Sequence, residues 1–223
     1  MRHRLDDSLP IPGRAHDLAG FRAWAISPRF PERGRIDFLA GDLEVDMSPE
    51  DLQTHSLVKS EIAAVFQFLV NRQGLGEVYI DRARISSPAA DLSVEPDVVV
   101  VLWEALDSGR LRDIPAASGK PGRFIEMEGA PDVVVEILSD SSVRKDLVRL
   151  PPLYAAAGVP ELWRVDARQE HLRFEILALA MDGYVRVKPD ARGWTRSPRL
   201  NHRFRLVRHP VRPGREGYRL EHD

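Results

Sequence analysis

Two near-continuous valine runs constrain the fold of this chain more than any other feature. Residues 96–101 and 131–137 both begin with Pro-Asp and continue into β-branched residues. Such runs are typical of central strands covered on both faces, because a strand with one wet face alternates apolar and polar residues instead. We therefore expect both runs to be middle strands of one core sheet.

The residues before and between these runs predict further elements. Alternating apolar residues over 34–47 predict a strand–turn–strand hairpin. Ser48 and Pro49 have the character of a helix start, and the apolar spacing up to Gly74 predicts a helix. Residues 104–125 are rich in glycine and proline, so they form either a long loop or an excursion, which we expect to be mobile and to border the site or a partner surface.

The residues after the second run complete an α+β, or mixed α/β, order. Pro151 and Pro152 are expected to break or restart a helix, and residues 153–157 predict a short helix that ends at Gly158. Residues 172–207 alternate as strands with turns between them. A hairpin, a helix, several strands, a short helix and more strands are the order of a single core sheet with helices packed on it.

The same signals predict the domain organisation. Residues 1–20 are expected to be a flexible arm, because prolines and a glycine interrupt regular structure there. Residues 21–223 are expected to form one domain, with its core at about 34–180 and a β extension at 181–223. A chain of 223 residues can bury such a core without disulfides.

The composition excludes several classes of function. The chain has no cysteine, which excludes disulfide scaffolds, thiolate zinc sites and cysteine nucleophiles. No stretch reads as a membrane helix and the first residues show no secretory signal, so we expect a cytoplasmic protein without a membrane partner. A glycine-rich phosphate loop, a dinucleotide fingerprint and a nucleophile elbow are all absent from the sequence.

The charges are nearly balanced but unevenly placed. A net charge of −2 gives no global field for nucleic acid. Residues 191–223 nevertheless hold nine arginines against three acidic residues. These arginines are either a nucleic-acid patch or the protection of an exposed strand edge.

Two acidic residues at the valine runs are the main candidates for chemistry. Asp97 opens the first run and Glu136 lies inside the second, where a buried carboxylate is costly unless it is paired or bound to a metal. If the two runs are neighbours, both carboxylates meet and offer the oxygen ligands that Mg²⁺ prefers. The simpler alternatives are a turn-capping carboxylate for Asp97 and a salt-bridged core residue for Glu136.

Lys145 is the nearest lysine to these acids, nine residues after Glu136. If the turn at 139–142 folds back over the strand ends, its ammonium would stabilise charge on a phosphate or position an attacking water. The simpler alternative is a solvated helix residue between Arg144 and Asp146.

Several segments resemble a known family. Residues 131–142 (PDVVVEILSDSS) and 153–167 (LYAAAGVPELWRVDA) are similar to the Uma-two branch of restriction-endonuclease-like proteins, within the PD-(D/E)XK nuclease-like superfamily. The similarity includes residues 95–101 (EPDVVVV) and covers most of 34–207. It implies a restriction-endonuclease-like core, in which helices flank a central mixed sheet, with an N-terminal hairpin and a C-terminal β extension.

The resemblance also implies roles for particular acids. Asp97 matches the first aspartate of the family pattern and Glu136 its second acid, so these two residues would bind the metal. Asp37 stands where the first hairpin of the family carries an acid, so it would help to bind the metal or a water, and His55 matches a histidine that opens the first long helix.

The lysine of the family pattern is displaced in this chain. The position two residues after Glu136 is Leu138, and the helix position where many members carry lysine is Leu150. Lys145 is therefore the expected source of positive charge.

The function implied is a DNA endonuclease that uses Mg²⁺, or Mn²⁺ in its place, and that assembles as a homodimer. The alternative is a nuclease-like fold that no longer cleaves and acts as a binding or assembly module. The retained acids favour the enzyme, whereas the displaced lysine and the net charge of −2 favour the alternative. A third reading is a structural domain whose acids are only salt-bridged.

Overall fold

The computed structural model describes residues 11–116 and 120–223. None of the helices in these ranges has the length and apolarity needed to cross a membrane. The helices are α1 (Leu18–Ala25), α2 (Leu57–Phe66), α3 (Trp103–Asp107) and α4 (Leu150–Ala157), with π turns at Leu52–Ser56, Gln67–Asn71 and Lys145–Arg149 and 3-10 turns at Gly13–His16 and Pro88–Ala90. The strands are β1 (Arg35–Leu39), β2 (Asp42–Asp46), β3 (Gly76–Ile80), β4 (Ile85–Ser87), β5 (Leu92–Val94), β6 (Val98–Leu102), β7 (Leu111–Pro115), β8 (Phe124–Gly129), β9 (Val133–Ile137), β10 (Glu161–Asp166), β11 (Arg173–Ala180), β12 (Gly183–Arg186), β13 (Thr195–Arg196), β14 (Arg203–Arg212) and β15 (Arg215–His222).

The two valine runs form β6 and β9, which lie side by side in a six-stranded sheet of order β12-β11-β10-β9-β6-β3. β9 pairs in parallel with β10 and antiparallel with β6, so this central sheet is mixed. The valines of both strands are buried, because both faces of the sheet are covered. The prediction that the two runs are central strands of a mixed sheet is therefore confirmed.

Strand alternation divides the core between the two faces of the central sheet. Val98 and Val135 pack in one cluster with Ile62 of α2 and Phe204 of β14. On the opposite face, Val134 packs in a cluster with Tyr154 of α4. Helices therefore flank the sheet, as expected of this α+β fold.

The predicted N-terminal hairpin and C-terminal β extension are both present. β1 and β2 pair antiparallel, and Gly41 in their turn takes a positive φ of 87°, which glycine adopts without steric cost. β14 and β15 form a long antiparallel hairpin that packs on the central sheet.

The sequence predicts a single core sheet, and this prediction is wrong, because the strands form more than one sheet. A second six-stranded sheet has the order β2-β1-β5-β4-β8-β7. Its inner strands β4 and β5 are only three residues long, and their Ser86 and Ser93 are buried because the two hydroxyls are hydrogen-bonded to each other (2.8 Å). Short polar strands of this kind give no valine-like signal in the sequence.

The first long helix begins later than the sequence suggested. Asp51, and not Ser48, caps it, because the Asp51 carboxylate accepts the backbone N–H groups of Gln53 and Thr54. A carboxylate at this position accepts hydrogen bonds from backbone N–H groups that have no partner within the helix. Its negative charge also interacts favourably with the positive N-terminal end of the helix dipole. Ser48 donates to Asp46 instead.

Residues 104–125 form an excursion with its own structure. The described part contains most of α3, the whole of β7 and the start of β8, and Leu111 anchors it in an apolar cluster. The loop alternative is therefore wrong for the described residues. Residues 117–119 lie outside the described residues, and the mobility of the segment stays a prediction.

The arm expected over residues 1–20 is described only in part, because residues 1–10 lie outside the described residues. Residues 11–20 include the turn Gly13–His16 and the first residues of α1, and Ala15 is buried. The division of the chain into an arm and one domain stays a prediction.

Candidate active site

Asp37 is buried on the face of β1 that contacts Glu95 and Lys145. Strand alternation sends Ile36 and Phe38 into a separate apolar cluster with α1, and Asp37 to the other side. Asp37 Oδ1 accepts the backbone N–H of Glu95 (3.0 Å) and Oδ2 accepts Lys145 Nζ (3.1 Å). Both oxygens of this buried carboxylate are therefore hydrogen-bonded.

Asp97 and Glu136 lie opposite each other on neighbouring strands. β6 and β9 pair Val98 with Val135, and continuing this antiparallel register by one residue places Asp97 opposite Glu136 on the same face. The backbone N–H of Ile137 donates to Asp97 Oδ2 (2.8 Å). The structure thus brings together the two acids that the sequence singled out.

Lys145 and Asp146 lie on the π turn that precedes α4. The N–H of Leu150 donates to the carbonyl of Lys145, five residues earlier, so the turn is wider than an α turn. Adjacent residues of a helix normally face different directions, but here both side chains are buried: Lys145 is 5% exposed and Asp146 is 2% exposed. Lys145 is therefore beside the predicted acids, in contact with Asp37, and is not a solvated helix residue.

Pro151 and Pro152 follow the π turn, in the first turn of α4. The sequence predicts that they break or restart a helix. Helical residues run from 143 to 157 without a break, and the α-helical part restarts at Leu150 with both prolines in its first turn. In an α-helix a proline ring clashes with the carbonyl four residues earlier, which belongs to Leu147 and Val148 in this helix. Both carbonyls lie within the π turn, whose wider spacing accommodates the rings.

Asp146 has an oxygen without a hydrogen-bond partner. The hydroxyl of Ser142 donates to Oδ2. Oδ1 is buried and accepts no hydrogen bond in the described residues, and Lys145 Nζ lies 3.9 Å away from it. An unpaired buried carboxylate oxygen is costly, and the same oxygen is free to meet a cation.

Arg35 and His55 hold Asp97 from two directions. Arg35 Nη2 donates to Asp97 Oδ1 (2.8 Å), and His55 Nε2 lies 3.3 Å from Oδ2. His55 Nδ1 is in turn 2.7 Å from Glu50 Oε1. In the sequence, His55 stands out only through the family resemblance, and Arg35 does not stand out. The available signal for Arg35 was strand alternation, which places it on the same face as Asp37.

Tyr154 is another residue that the sequence reasoning did not name. Its hydroxyl donates to Glu136 Oε1 (2.5 Å), and the side chain is fully buried. Asp146, Leu150 and Tyr154 are spaced by four residues, which is the spacing of one helix face. This spacing is the sequence signal that places Asp146 and Tyr154 on the same helix face as Leu150.

The environments of the acids separate their pKa values. Burial alone raises the pKa of Asp97, but the hydrogen bond with His55 and the charge of Arg35 outweigh it and hold that pKa below its ordinary value. Burial and the charge of Asp146 raise the pKa of Glu136 well above its ordinary value. Burial also raises the pKa of Asp146, to about 6. Such a split between neighbouring carboxyls is common at functional sites.

Lys145 keeps its charge inside this cluster. Burial alone lowers the pKa of Lys145, but the charges of Asp37 and Glu136 outweigh burial and hold that pKa above its ordinary value. The ammonium is therefore a fixed positive charge among the carboxylates.

A cleft of about 180 Å³ leads to the cluster, and we call it the mouth. Arg35 and His55 line it, and both contact Asp97. Serines and acidic residues also line the mouth. These lining residues include Asp46, Glu50, Asp51, Ser139 and Ser141.

The donor chemistry of the cluster fits a hard divalent cation with few protein ligands. Within the described ranges, no group of three or more His, Cys, Asp or Glu side chains has the arrangement of a metal site. Asp146 nevertheless offers a free oxygen, and Glu136 is bonded by a neutral hydroxyl and not by a cation. Mg²⁺ is commonly held by one or two carboxylates and several waters.

Comparison with solved structures supports the nuclease-like fold. A similar structure is described as "a putative nuclease belonging to DUF820" from Anabaena variabilis ATCC 29413. The two chains are 19% identical, the match covers 83% of this chain and 90% of that chain, and the TM-score is 0.59. At this identity the similarity shows the fold alone.

Comparison of sequences identifies the family. No curated protein matches the chain. The family model Uma2, described as "Putative restriction endonuclease", matches residues 18–206. Because this match spans most of the sequence and agrees with the fold, the chain belongs to the Uma2 family.

Proposed function

We propose that this protein is a metal-dependent phosphodiesterase that cleaves nucleic acid. The observation that carries the proposal is the convergence of Asp37, Asp97, Glu136 and Lys145 in one buried cluster beside one mouth. Buried, unlike-charged groups with separated pKa values are the usual signature of an active site. Membership of the Uma2 family supports a nuclease-like function.

Glu136 and Asp97 would hold the metal, which we propose to be Mg²⁺ or, in its place, Mn²⁺. Such an ion activates a water and offsets charge on a phosphate. Both oxygens of Asp97 already accept hydrogen bonds, so Asp97 would act through metal-bound water. Asp146, with its free oxygen, would join Glu136 as a direct ligand.

The other residues would orient these groups. Asp37 holds the ammonium of Lys145 in place (3.1 Å), and that ammonium would stabilise charge on the phosphate in the transition state. Tyr154 fixes the carboxylate of Glu136 through its hydroxyl. Arg35 and His55 keep Asp97 charged and oriented.

Nicking of supercoiled plasmid with Mg²⁺ or Mn²⁺ tests the proposal. Wild type should cleave, and Glu136→Gln should cleave at background. Glu175→Gln is the matched control, because Glu175 lies on β11 of the same sheet, paired with Arg164, and outside the cluster. If Glu136→Gln cleaves as fast as wild type, the cluster is not the active site.

A second candidate function is a nuclease-like fold that binds without cleaving. The observation that favours it is the engagement of both Asp97 oxygens by protein groups, together with leucine at positions 138 and 150. In that case wild type and Glu136→Gln should both give background nicking with either metal, while nucleic acid is still bound.

We also propose DNA as the substrate and a homodimer as the assembled form. Competition between DNA and RNA of the same sequence in the nicking reaction tests the first. Light scattering coupled to size-exclusion chromatography tests the second, because a monomer mass at micromolar concentration would contradict it.

A further inference from the structure

A groove of about 740 Å³ lies beside the mouth, and we call it the arginine groove. The tip of the β14–β15 hairpin forms one wall. The turn after β10 and the first turn of the long helix form the other. The arginines that line it are Arg168, Arg208, Arg212 and Arg215, and the acidic residues are Glu170 and Glu216. Glu216 pairs with Arg208 (3.3 Å).

Two of these arginines are occupied by structural contacts. The guanidinium of Arg208 donates to the carbonyls of Ala167 (2.6 Å), Gln169 (3.0 Å) and Glu170 (3.1 Å), so it ties the hairpin to the turn after β10. Arg168 is paired with acidic neighbours. These contacts build the groove and leave little positive charge free.

Arg212 and Arg215 are in a different situation. They are direct cross-strand partners at the tip of the hairpin, and both are exposed. Neither forms an ion pair with an acidic residue of the described chain. Like charges directly opposite each other destabilise a strand pair, so the folded chain gains nothing from this arrangement. A bound anion would offset the repulsion.

The arginine groove and the mouth are lined by neighbouring residues of one helix turn. Gln53 and Thr54 line the groove, while Asp51 and His55, from the same turn of the long helix, line the mouth. Arg168 also donates to the carbonyl of Ser139, which lies at the mouth (3.4 Å).

The mouth itself is poorly suited to hold a polyanion. Asp46, Glu50 and Asp51 line it. Lys59 pairs with Glu50 (2.6 Å), and the carboxylates of Asp46 and Asp51 repel phosphates. The affinity for a nucleic acid must therefore come from a neighbouring surface. Arginine guanidiniums suit that role, because their planar fork matches phosphate geometry with two parallel hydrogen bonds.

We propose that the arginine groove binds the phosphodiester backbone of a nucleic acid and leads that strand to the mouth. This inference rests on the proposed function, since it names the path of the substrate to the same cluster. Arg212 and Arg215 are the phosphate-binding residues, whereas Arg208 and Arg168 shape the groove.

Fluorescence anisotropy with a labelled DNA duplex, and with its single strand, tests the proposal. EDTA in the buffer prevents cleavage, so the measurement reports binding alone. Arg212→Ala combined with Arg215→Ala should weaken binding roughly tenfold at low salt. The slope of log K against log salt should become shallower by about 2, since each phosphate contact contributes about 1.

The matched control is Arg72→Ala combined with Arg192→Ala. Both are exposed, outside the groove and unpaired within the described residues, so this double variant removes the same net charge. Its affinity should stay within about twofold of wild type. Because Arg212 and Arg215 repel each other, their removal should not lower the melting temperature, which excludes unfolding as the cause of weaker binding.

The outcomes separate the groove from the catalytic cluster. Equal loss of affinity in both double variants, or no binding of either DNA by wild type, overturns the arginine groove. Selective loss in the Arg212 and Arg215 variant supports it, even if the plasmid is never nicked. If binding is lost selectively and the plasmid is not nicked, the arginine groove is supported and the proposed phosphodiesterase activity is contradicted.

Discussion

A single buried residue of the cluster, Asp146, makes the free energy of unfolding depend on pH in a range where exposed acidic residues contribute little. Asp146 is buried, with one oxygen unpaired, and its pKa is raised to about 6 by burial. Its pKa in the unfolded chain is about 3.9. Between these values the folded chain binds the extra proton, so the contribution of Asp146 to the free energy of unfolding falls as pH rises through that window.

Asp146→Asn should remove this pH-dependent cost. The free energy of unfolding of the variant, relative to wild type, should increase from about pH 4.5 to about pH 7 by on the order of 1 kcal/mol or more. Urea unfolding at several pH values measures it. Asp140→Asn is the control, because that carboxylate is exposed in the same segment. A difference between Asp146→Asn and wild type that stays constant with pH would contradict the assignment.

Lys145 is the residue on which turnover should depend most selectively. Lys145→Ala removes the buried ammonium beside Asp37. The nicking rate should fall by about 10²-fold or more, the usual loss for one electrostatic donor, while Mn²⁺ binding measured by calorimetry stays close to wild type. Arg144→Ala, at the exposed neighbouring position, should change neither quantity. Equal nicking by Lys145→Ala and wild type would show that the ammonium does not act on the phosphate.

At the scale of elements, local sequence predicts some features well and others poorly. Valine runs report burial on both faces directly, so β6 and β9 follow from composition alone. The π turn at Lys145–Arg149 does not follow from composition. Pro151 and Pro152 are equally compatible with a break in the helix and with a helix that widens before them. Whether a helix breaks or widens depends on what it packs against, and Tyr154 is held by Glu136 of another element.

Replacing both prolines should separate the geometry of the site from its stability. Pro151→Ala with Pro152→Ala restores the missing N–H donors and removes the ring clashes, which favours an ordinary α turn. The melting temperature should stay unchanged or rise. The nicking rate should fall by at least about tenfold, because a narrower turn rotates Lys145 and Asp146 away from the acids. A double variant that melts lower and cleaves normally would refute this role of the prolines.

At the scale of the whole molecule, the sequence predicts the class of fold but not its second sheet. The hairpin, the central strands and the β extension each have a local pattern. The pairing of β4 with β8 joins Ile85 to Met127 across 42 residues (127 − 85), and no local pattern encodes it. The site divides in the same way: Asp97 and Glu136 follow from strand patterns, whereas the contacts of Arg35 with Asp97 and of Lys145 with Asp37 join distant parts of the chain.

The acids of the two valine strands also act before the chain is folded. A six-residue apolar β-branched segment without charge or proline is the usual seed of cross-β aggregation, and flanking charges and prolines protect such segments in unfolded chains. Both runs begin with Pro-Asp, and Glu136 interrupts the second. Glu136→Gln, refolded from urea by dilution, should therefore scatter more light than wild type, whereas Glu175→Gln should not. The carboxylate proposed for catalysis would then also protect the nascent polypeptide, and a variant made to abolish cleavage would carry a solubility cost of its own.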